Sequence, residues 1–165
     1  MSRPRTIPDA DVFAAILRLI AQGGEKSVAF SSVARSTGLS APSLVQRYGA
    51  LPEMIAAALH HSWDRTDERT VAAIAETAAT DKGPQLLLKL LAPAPSPAVL
   101  AASLRDAGLR QRAKAWRQRV EAALLGRGGN KDAAAMLFAA WQGQTLWDGI
   151  SDKGFKMKDA IKRLG

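Results

Sequence analysis

The stretch FSSVARSTGLSAPSLVQRY, from Phe30 to Tyr48, determines how we expect this chain to fold. Its first half places Phe30, Val33 and Ala34 on one face of a helix, because residues three and four apart are neighbours on a helical surface. Gly38 comes directly after this face, where a chain that leaves a helix often needs a positive φ. The first half therefore predicts a short helix that ends in a glycine turn.

The second half of the stretch predicts another short helix. Ser40 is a suitable N-cap, and Pro42 lies in the first helical turn, where its missing N–H costs no hydrogen bond. Leu44 and Tyr48 are four residues apart and would be the buried side chains of a helix over residues 42–47. Two helices joined by a glycine turn form a helix-turn-helix layout, although other packed helix pairs share this pattern. In such a motif the second helix lies in the major groove of DNA.

The stretch and its flanks resemble the TetR (tetracycline-repressor-like) family of bacterial regulators. Between Asp9 and Trp63, the segments VFAAILRLIAQGG, SSVARSTGLS, APSLVQRY and LPEMIAAALHHSW match the family's order of helix, glycine corner, helix-turn-helix and fourth helix. The resemblance implies an all-α fold. It further implies an N-terminal three-helix DNA-binding domain over residues 1–50 and a C-terminal helical ligand-binding and dimerisation domain over residues 51–165.

Four positions depart from the family pattern. Members of the family usually carry phosphate-contacting side chains near Ala29, Ala41, Val45 and Leu51, and all four residues are apolar in this sequence. We therefore expect DNA binding that depends only weakly on salt concentration.

The candidate DNA contacts are the outward-facing residues of the motif together with the N-terminal arm. Gln46 could read adenine, and Arg47 could read guanine or bind a phosphate. Arg3 and Arg5 lie on a proline-containing arm, which is either a solvated tail or an arm that reaches a phosphate or the minor groove. The complete set is Arg3, Arg5, Ser31, Ser32, Ser40, Ala41, Pro42, Ser43, Gln46, Arg47 and Tyr48.

Composition limits the possible functions. The chain has 165 residues, a net charge of +8 and no cysteine, so it has no disulfide, and its charge favours a polyanionic partner. Residues 1–65 carry a net charge of only +2 and residues 66–165 a net charge of +6. No apolar run reaches the ~18 residues of a membrane span, and the N-terminus lacks a signal sequence, so we expect a cytoplasmic protein without a membrane partner.

No constellation of catalytic or metal-binding residues is present in the sequence. His60 and His61 are adjacent, and neighbours on a helix point about 100° apart, so they do not converge on one ion. Phosphate-binding loops and metalloprotease motifs are absent as well. The sequence therefore predicts no enzyme, no cofactor and no metal site.

The second half of the chain predicts several more helices. We expect a fourth helix over residues 51–63, then a mildly helical segment with Val71, Ile74 and Ala78 on its apolar face. Short helices follow up to Gly108, and longer helices over residues 109–125 and 131–150 precede a last basic helix over residues 154–164. The apolar stripes of the two longer helices predict a homodimer interface formed by Leu109, Ala113, Trp116, Val120, Leu124, Met136, Ala139, Ala140, Gly143 and Trp147.

A small-molecule pocket is a further hypothesis for this half. Its apolar lining with few polar groups would suit an apolar or aromatic effector. The lining residues would be Leu87, Leu91, Leu100, Leu104, Trp116, Trp141, Gln144 and Trp147. The alternative is that these residues only fill a core.

Three functional interpretations remain at this point. The first is a homodimeric transcriptional regulator, acting as a ligand-responsive repressor on palindromic double-stranded DNA. The second is a helical protein-interaction module with weak or lost operator binding. The third is a protein that binds membrane surfaces through the basic helix over residues 109–125.

Overall fold

The computed structural model describes residues 7–80, 83–92, 95–125, 130–148, 150 and 154–164. These ranges contain helices and no strand, which confirms the all-α fold class. The helices are α1 (Asp9–Gly23), α2 (Phe30–Thr37), α3 (Ala41–Tyr48), α4 (Leu51–Thr77), α5 (Gly83–Leu90), α6 (Pro97–Ser103), α7 (Ala107–Leu125), α8 (Lys131–Trp147) and α9 (Met157–Leu164), with a 3₁₀ turn at Glu25–Ser27. None of the helices in the described ranges combines the length and the apolar character that a bilayer crossing requires.

The chain forms two compact units whose bounds differ from the proposed functional domains. The first unit comprises Met1–Asp64 and Pro95–Arg110, and the second comprises Arg65–Ala94 and Gln111–Gly165. The first half of α4 and the whole of α6 thus belong to the unit that contains the helix-turn-helix. The division into functional domains at residue 50 stays a prediction.

Apolar residues of α1, α2 and α3 lie in the core of the first unit. Val12, Ile16 and Ile20, on one side of α1, are fully buried. Val33 of α2 and Leu44 of α3 are fully buried as well, so both short helices of the motif pack into the same core.

A hydrogen bond explains why α6 joins this unit. The indole Nε1 of Trp63, near the middle of α4, donates to Ser103 Oγ of α6 at 2.8 Å, and both residues are buried. Because a buried indole N–H needs a partner, this bond stabilises the packing of α6 on α4.

The buried face of the second half of α4 is not the predicted one. Val71 is 57% exposed, whereas the buried positions of this half are Thr66, Thr70, Ala73 and Thr77. Threonine can be buried here because its hydroxyl bonds back to the carbonyl of the preceding turn. Thr70 donates to Thr66 O at 2.7 Å, and Thr77 donates to Ala73 O at 2.8 Å.

An aromatic cluster fills the second unit next to these threonines. Trp116 of α7 donates its indole N–H to Thr70 Oγ1 at 2.9 Å. Its ring packs on Phe138 and Trp141 of α8, at centroid distances of 5.6 and 6.4 Å. Asp67 of α4 adds ion pairs to two arginines of α7, Arg112 at 2.8 Å and Arg119 at 2.9 Å.

The start of α7 differs from the prediction. We expected a helix to end at Gly108, but Gly108 lies inside α7, which begins at Ala107. Asp106 is the reason, because its Oδ1 accepts a hydrogen bond from Leu109 N at 2.7 Å and so caps the new helix. The glycines at residues 126–130 predict a turn before α8, and residues 126–129 lie outside the described residues.

Candidate functional sites

The helix-turn-helix has the geometry that its sequence predicts. Helix α2 ends at Thr37, and Gly38 follows with a φ of 76°, in the left-handed region. Ser40 caps α3, since its Oγ accepts a hydrogen bond from Ser43 N at 3.2 Å. The capped N-terminus and the left-handed glycine fix the turn between the two helices.

The N-terminal side of α3 faces solvent. Pro42, Ser43 and Gln46 are exposed, and Val45 is 47% exposed. Ala41 is half-buried, and Ser43 Oγ lies 2.7 Å from Ser40 Oγ. This surface presents one amide, two hydroxyls and apolar groups to solvent.

The two serines of α2 differ in their surroundings. Ser31 is exposed. Ser32 is half-buried, and its Oγ accepts a hydrogen bond from Ala29 N at 2.9 Å while lying 2.9 Å from Ala29 O and 3.1 Å from Ser27 O. The hydroxyl of Ser32 therefore closes the start of α2 and is occupied within the protein.

Arg47 and Tyr48, at the end of α3, both contact the start of α1. The Arg47 Nε lies 2.8 Å from Asp9 Oδ1, and its Nη1 donates to Ile7 O at 2.8 Å. The Tyr48 hydroxyl also donates to Asp9 Oδ1. The ring of Tyr48 packs against Phe13 of α1 at a centroid distance of 5.8 Å.

This cluster changes the acidity of Tyr48. Burial, and then the hydrogen bond and negative charge of Asp9, raise the pKa of the Tyr48 phenol well above its ordinary value, while Arg47 lowers it by a smaller amount. The sequence analysis placed Arg47 and Tyr48 among the DNA contacts and did not identify Asp9 as their partner. Asp9 is 39 residues before Tyr48, so the contact is not visible in the local sequence. Arg3 and Arg5 lie outside the described residues.

A cleft of about 570 Å³ opens in the second unit, between α5, α8 and α9. Two of the expected pocket residues, Trp141 and Gln144, line it. The other lining residues are Gln85, Leu88, Lys89, Ala92, Thr145, Asp148 and Met157. The walls are mostly apolar and carry charges of both signs.

The remaining expected pocket residues do not line this cleft. Leu87, Leu91 and Trp116 are buried in the core, so the core interpretation describes them better. Leu100 and Leu104 belong to the first unit, and Trp147 is 57% exposed on α8. Packing decides these positions, and apolar character alone does not separate a core residue from a pocket residue.

The expected dimer residues divide in the same way. Leu109, Trp116, Val120 and Leu124 of α7 are buried within the protomer, so they are not available to a second subunit, contrary to the prediction. Ala113 is half-buried. On α8, in contrast, Met136 and Ala139 are exposed, Ala140 and Gly143 are half-buried, and Trp147 is exposed.

Two apolar residues that the expected interface did not include are exposed as well. Leu146 of α8 is 52% exposed, and Ile150, after the end of α8, is 72% exposed. A Cβ atom added at Gly143 would have no heavy atom of the described residues within 4 Å, apart from its chain neighbours and the backbone of its own helix. Large apolar side chains around a bare backbone position are typical of a face that another helix covers. Within the described ranges, no group of three or more His, Asp or Glu side chains could hold a metal ion.

The sequence has no match among protein-family models or curated proteins. Solved structures, however, resemble the chain over nearly its whole length. The multidrug-binding protein EbrR, crystallised with malachite green, shares 20% identity at a TM-score of 0.68 and covers 96% of each chain. SCO7518 from Streptomyces coelicolor A3(2), described as a transcriptional regulator, shares 20% identity at a TM-score of 0.62 and covers 94% of each chain.

A protein from Rhodococcus sp., described as a TetR-family transcriptional regulator, shares 19% identity at a TM-score of 0.59. It covers 94% of this chain and 93% of its own. Structural likeness at identities this low shows the fold and not the function. The chain therefore has the fold of TetR-type transcriptional regulators, as the resemblance of residues 9–63 predicts.

Proposed function

We propose that this chain is a DNA-binding transcriptional regulator without enzymatic activity, which acts as a homodimeric repressor on a palindromic operator. The observation that carries the proposal is the capped helix α3, whose N-terminal side chains are exposed directly after a left-handed glycine turn. A helix presented in this way can enter the major groove with its first two turns against base edges. The fold shared with solved regulators supports the same proposal.

Gln46 and Ser43 are the candidates for reading bases. An amide can donate to and accept from adenine in the major groove, and a hydroxyl can bond to several bases. Ala41 and Val45, on the same helix, supply apolar contact where members of the resembled family usually carry phosphate contacts. Affinity in this proposal comes from base and shape contacts more than from phosphate neutralisation, so its salt dependence is shallow.

A binding-site selection from random double-stranded DNA tests this proposal. We expect the selected fragments to contain an inverted repeat with half-sites about one helical turn apart, because a two-fold dimer presents two α3 helices. Affinity is then measured by fluorescence anisotropy across a salt series, with a fragment of scrambled half-sites as the control. Equal affinity for both fragments would contradict the proposal and favour a protein-interaction module on the same scaffold.

The homodimer in this proposal forms through the exposed face of α8. Met136, Ala139, Gly143 and Trp147 follow one another at intervals of three or four residues, which places them on one side of the helix. A two-fold interface uses the same surface of both subunits, so two copies of this face can pack on each other. The missing side chain of Gly143 lets the two backbones come close together.

The effector in this proposal is an aromatic or apolar molecule that binds in the cleft at Trp141. The cleft has the volume of a small-molecule site, and Lys89 and Asp148 provide polar groups that could orient a ligand. EbrR, which has the same fold, was crystallised with malachite green. That dye is therefore a reasonable first probe.

Titration of the protein with malachite green tests the effector site. We expect quenching of tryptophan fluorescence and a higher melting temperature, since a ligand that binds only the folded state stabilises it. Trp141→Phe should remove most of the quenching, whereas Trp63→Phe, in the other unit, should retain it. Identical quenching in both variants would place the dye elsewhere, and an absence of any response to a panel of aromatic compounds would contradict an effector site.

A further inference from the structure

Residues at the start of α1 bond to the single cationic side chain of the recognition helix α3. Arg47 is the only Lys or Arg in α3. Its Nε pairs with Asp9 at 2.8 Å, its Nη1 bonds to Ile7 O at 2.8 Å, and its guanidinium carbon lies 5.5 Å from the centre of the Tyr48 ring. Two sides of the guanidinium fork and one of its faces are thus engaged within the protein.

Asp9 contacts both Arg47 and Tyr48, the last two residues of α3. One carboxylate oxygen, Oδ1, accepts from the Tyr48 hydroxyl and pairs with the Arg47 guanidinium. Asp9 is also the first residue of α1, where the helix dipole favours a negative charge. An ionised Asp9 therefore forms a fixed acceptor for the C-terminal end of α3.

One fully buried side chain, Leu44, anchors α3 to the core. At the end of the helix the Tyr48 ring packs on Phe13, and the remaining contacts with α1 are the polar ones of Arg47 and Tyr48. These polar contacts therefore contribute to the orientation of the last turn. Base readout requires side chains placed to within about 0.5 Å, which makes this orientation important.

Transfer of Arg47 to a DNA phosphate would replace contacts that the protein already makes. It would break the bonds to Asp9 and Ile7, and it would leave the Asp9 carboxylate without its cation beside a polyanion. Because like charges repel and the ionic contact in the free protein is already made, the exchange gains little.

We propose that Arg47 is a positioning residue, which holds the recognition helix on α1 through Asp9 and the Ile7 carbonyl, and that it contacts neither a base nor a phosphate. The consequence for DNA binding rests on the proposed function, whereas the coupling between Arg47 and Asp9 does not.

Charge-retaining and charge-removing variants distinguish positioning from phosphate contact. Arg47→Lys keeps the charge but lacks the planar fork that bonds in two directions. We expect Arg47→Lys and Arg47→Ala to weaken binding to the selected operator by roughly fivefold or more, within the range of a lost base contact. The slope of affinity against salt should stay unchanged, and affinity for scrambled DNA should stay within about twofold.

Asp9→Ala provides the opposite arm of the test, with Asp11→Ala as its matched control. Asp11 is an exposed acid in the same helical turn. If Arg47 is positioned by Asp9, Asp9→Ala weakens operator binding, the double variant with Arg47→Ala is no weaker than either single variant, and Asp11→Ala does not weaken binding. Stronger binding by Asp9→Ala than by Asp11→Ala would overturn the inference. A second pair of results would also overturn it: Arg47→Lys binds the operator as tightly as the unmutated protein, and Arg47→Ala lowers the slope of affinity against salt concentration by about one unit.

A measurement without DNA separates this inference from the proposed function. In urea unfolding, the effects of Arg47→Ala and Asp9→Ala should be smaller together than their sum, whereas those of Arg47→Ala and Asp11→Ala should add. Additivity in the first pair would overturn the inference even if the protein binds its operator. If the protein selects no DNA sequence, the proposed function fails, and this unfolding cycle still decides whether Arg47 and Asp9 are coupled.

Discussion

Gln46 is the exposed side chain of α3 whose chemistry best suits base recognition. Its amide makes no hydrogen bond to any residue that the structure describes, so Gln46→Ala should leave the fold intact. We expect this variant to lose about 1–3 kcal/mol of operator binding, the usual contribution of a bidentate contact. Anisotropy measurements with the selected fragment check this, and an unchanged affinity would exclude Gln46 as a base contact.

Tyr48 should make the protein sensitive to alkaline pH. Its pKa in the folded state is raised by burial and by Asp9, so above pH ~10 the phenol ionises in the unfolded chain before it ionises in the folded one. The contribution of Tyr48 to the free energy of unfolding is therefore fully present below pH ~10 and is lost as the pH rises further. Urea unfolding of the unmutated protein and Tyr48→Phe between pH 8 and 11 checks this, and the variant should show the smaller decrease above pH 10. Parallel curves would show that Tyr48 is not responsible.

At the residue scale, caps and turns could be predicted from the sequence, whereas contacts between residues far apart in the chain could not. Gly38 and Ser40 were predicted correctly because a left-handed turn and an N-cap depend on neighbours in sequence. The contacts of Arg47 could not be predicted, because they require α1 to lie beside the end of α3. The role of Ser32 could have been predicted from sequence. Ser32 lies three residues after Ala29, the N-cap residue of α2, and a polar side chain at that third position commonly accepts a hydrogen bond from the N-cap N–H.

Helix α4 provides a test of a buried polar pair. Thr70→Val keeps the shape of the side chain but removes the hydroxyl that accepts the hydrogen bond of the Trp116 indole N–H. We expect this to lower the free energy of unfolding by about 1–3 kcal/mol. Thr70→Ser retains the hydroxyl and serves as the control, with a smaller loss from the missing methyl group. Equal losses in denaturant unfolding would show that the hydrogen bond contributes nothing.

The same helix shows why one face was predicted incorrectly. Hydrophobicity placed Val71 inward, whereas the structure buries Thr66 and Thr70. A threonine hydroxyl that bonds within its own helix costs little to bury, and Trp116 supplies a second partner for Thr70. Apolar periodicity does not register such a face. The cap at Asp106 was missed for another reason, because Gly108 suggested a helix end where a helix had just begun.

Gly143 allows the subunit interface to be tested without damage to the protomer. A Cβ atom added at this position would meet no heavy atom of the described residues within 4 Å, apart from its chain neighbours and the backbone of its own helix, so we expect Gly143→Leu to disturb one subunit less than a contact between two subunits. If two α8 helices cross here, the added side chain should weaken the dimer by about 1–3 kcal/mol. Sedimentation velocity over a dilution series checks this shift toward monomer. Ala72→Leu, at an exposed position of α4, should leave the dimer unchanged. A stable monomer in the unmutated protein would contradict the dimer itself.

At the scale of the whole molecule, the fold was predictable and the distribution of surfaces was not. The order of helices follows from glycines, prolines and apolar periods, and these are local features. Which side of α7 or α8 stays exposed depends on how the helices of a unit pack, as Trp116 and Trp147 show: both were assigned to the pocket and to the dimer, but one is buried and the other is exposed. Sequence periodicity identifies an apolar face without identifying what covers it.

The two buried indole hydrogen bonds allow local opening to be measured in each unit separately. Trp63 and Ser103 belong to the first unit, and Trp116 and Thr70 belong to the second. An indole proton that is bonded and buried exchanges with deuterium only when its surroundings open. The two signals are resolvable in a nitrogen-15 correlation spectrum, so one exchange experiment yields one protection factor per unit. Different factors would reveal that the unit with the helix-turn-helix and the unit with α8 open independently, and equal factors would indicate one cooperative opening of the whole chain.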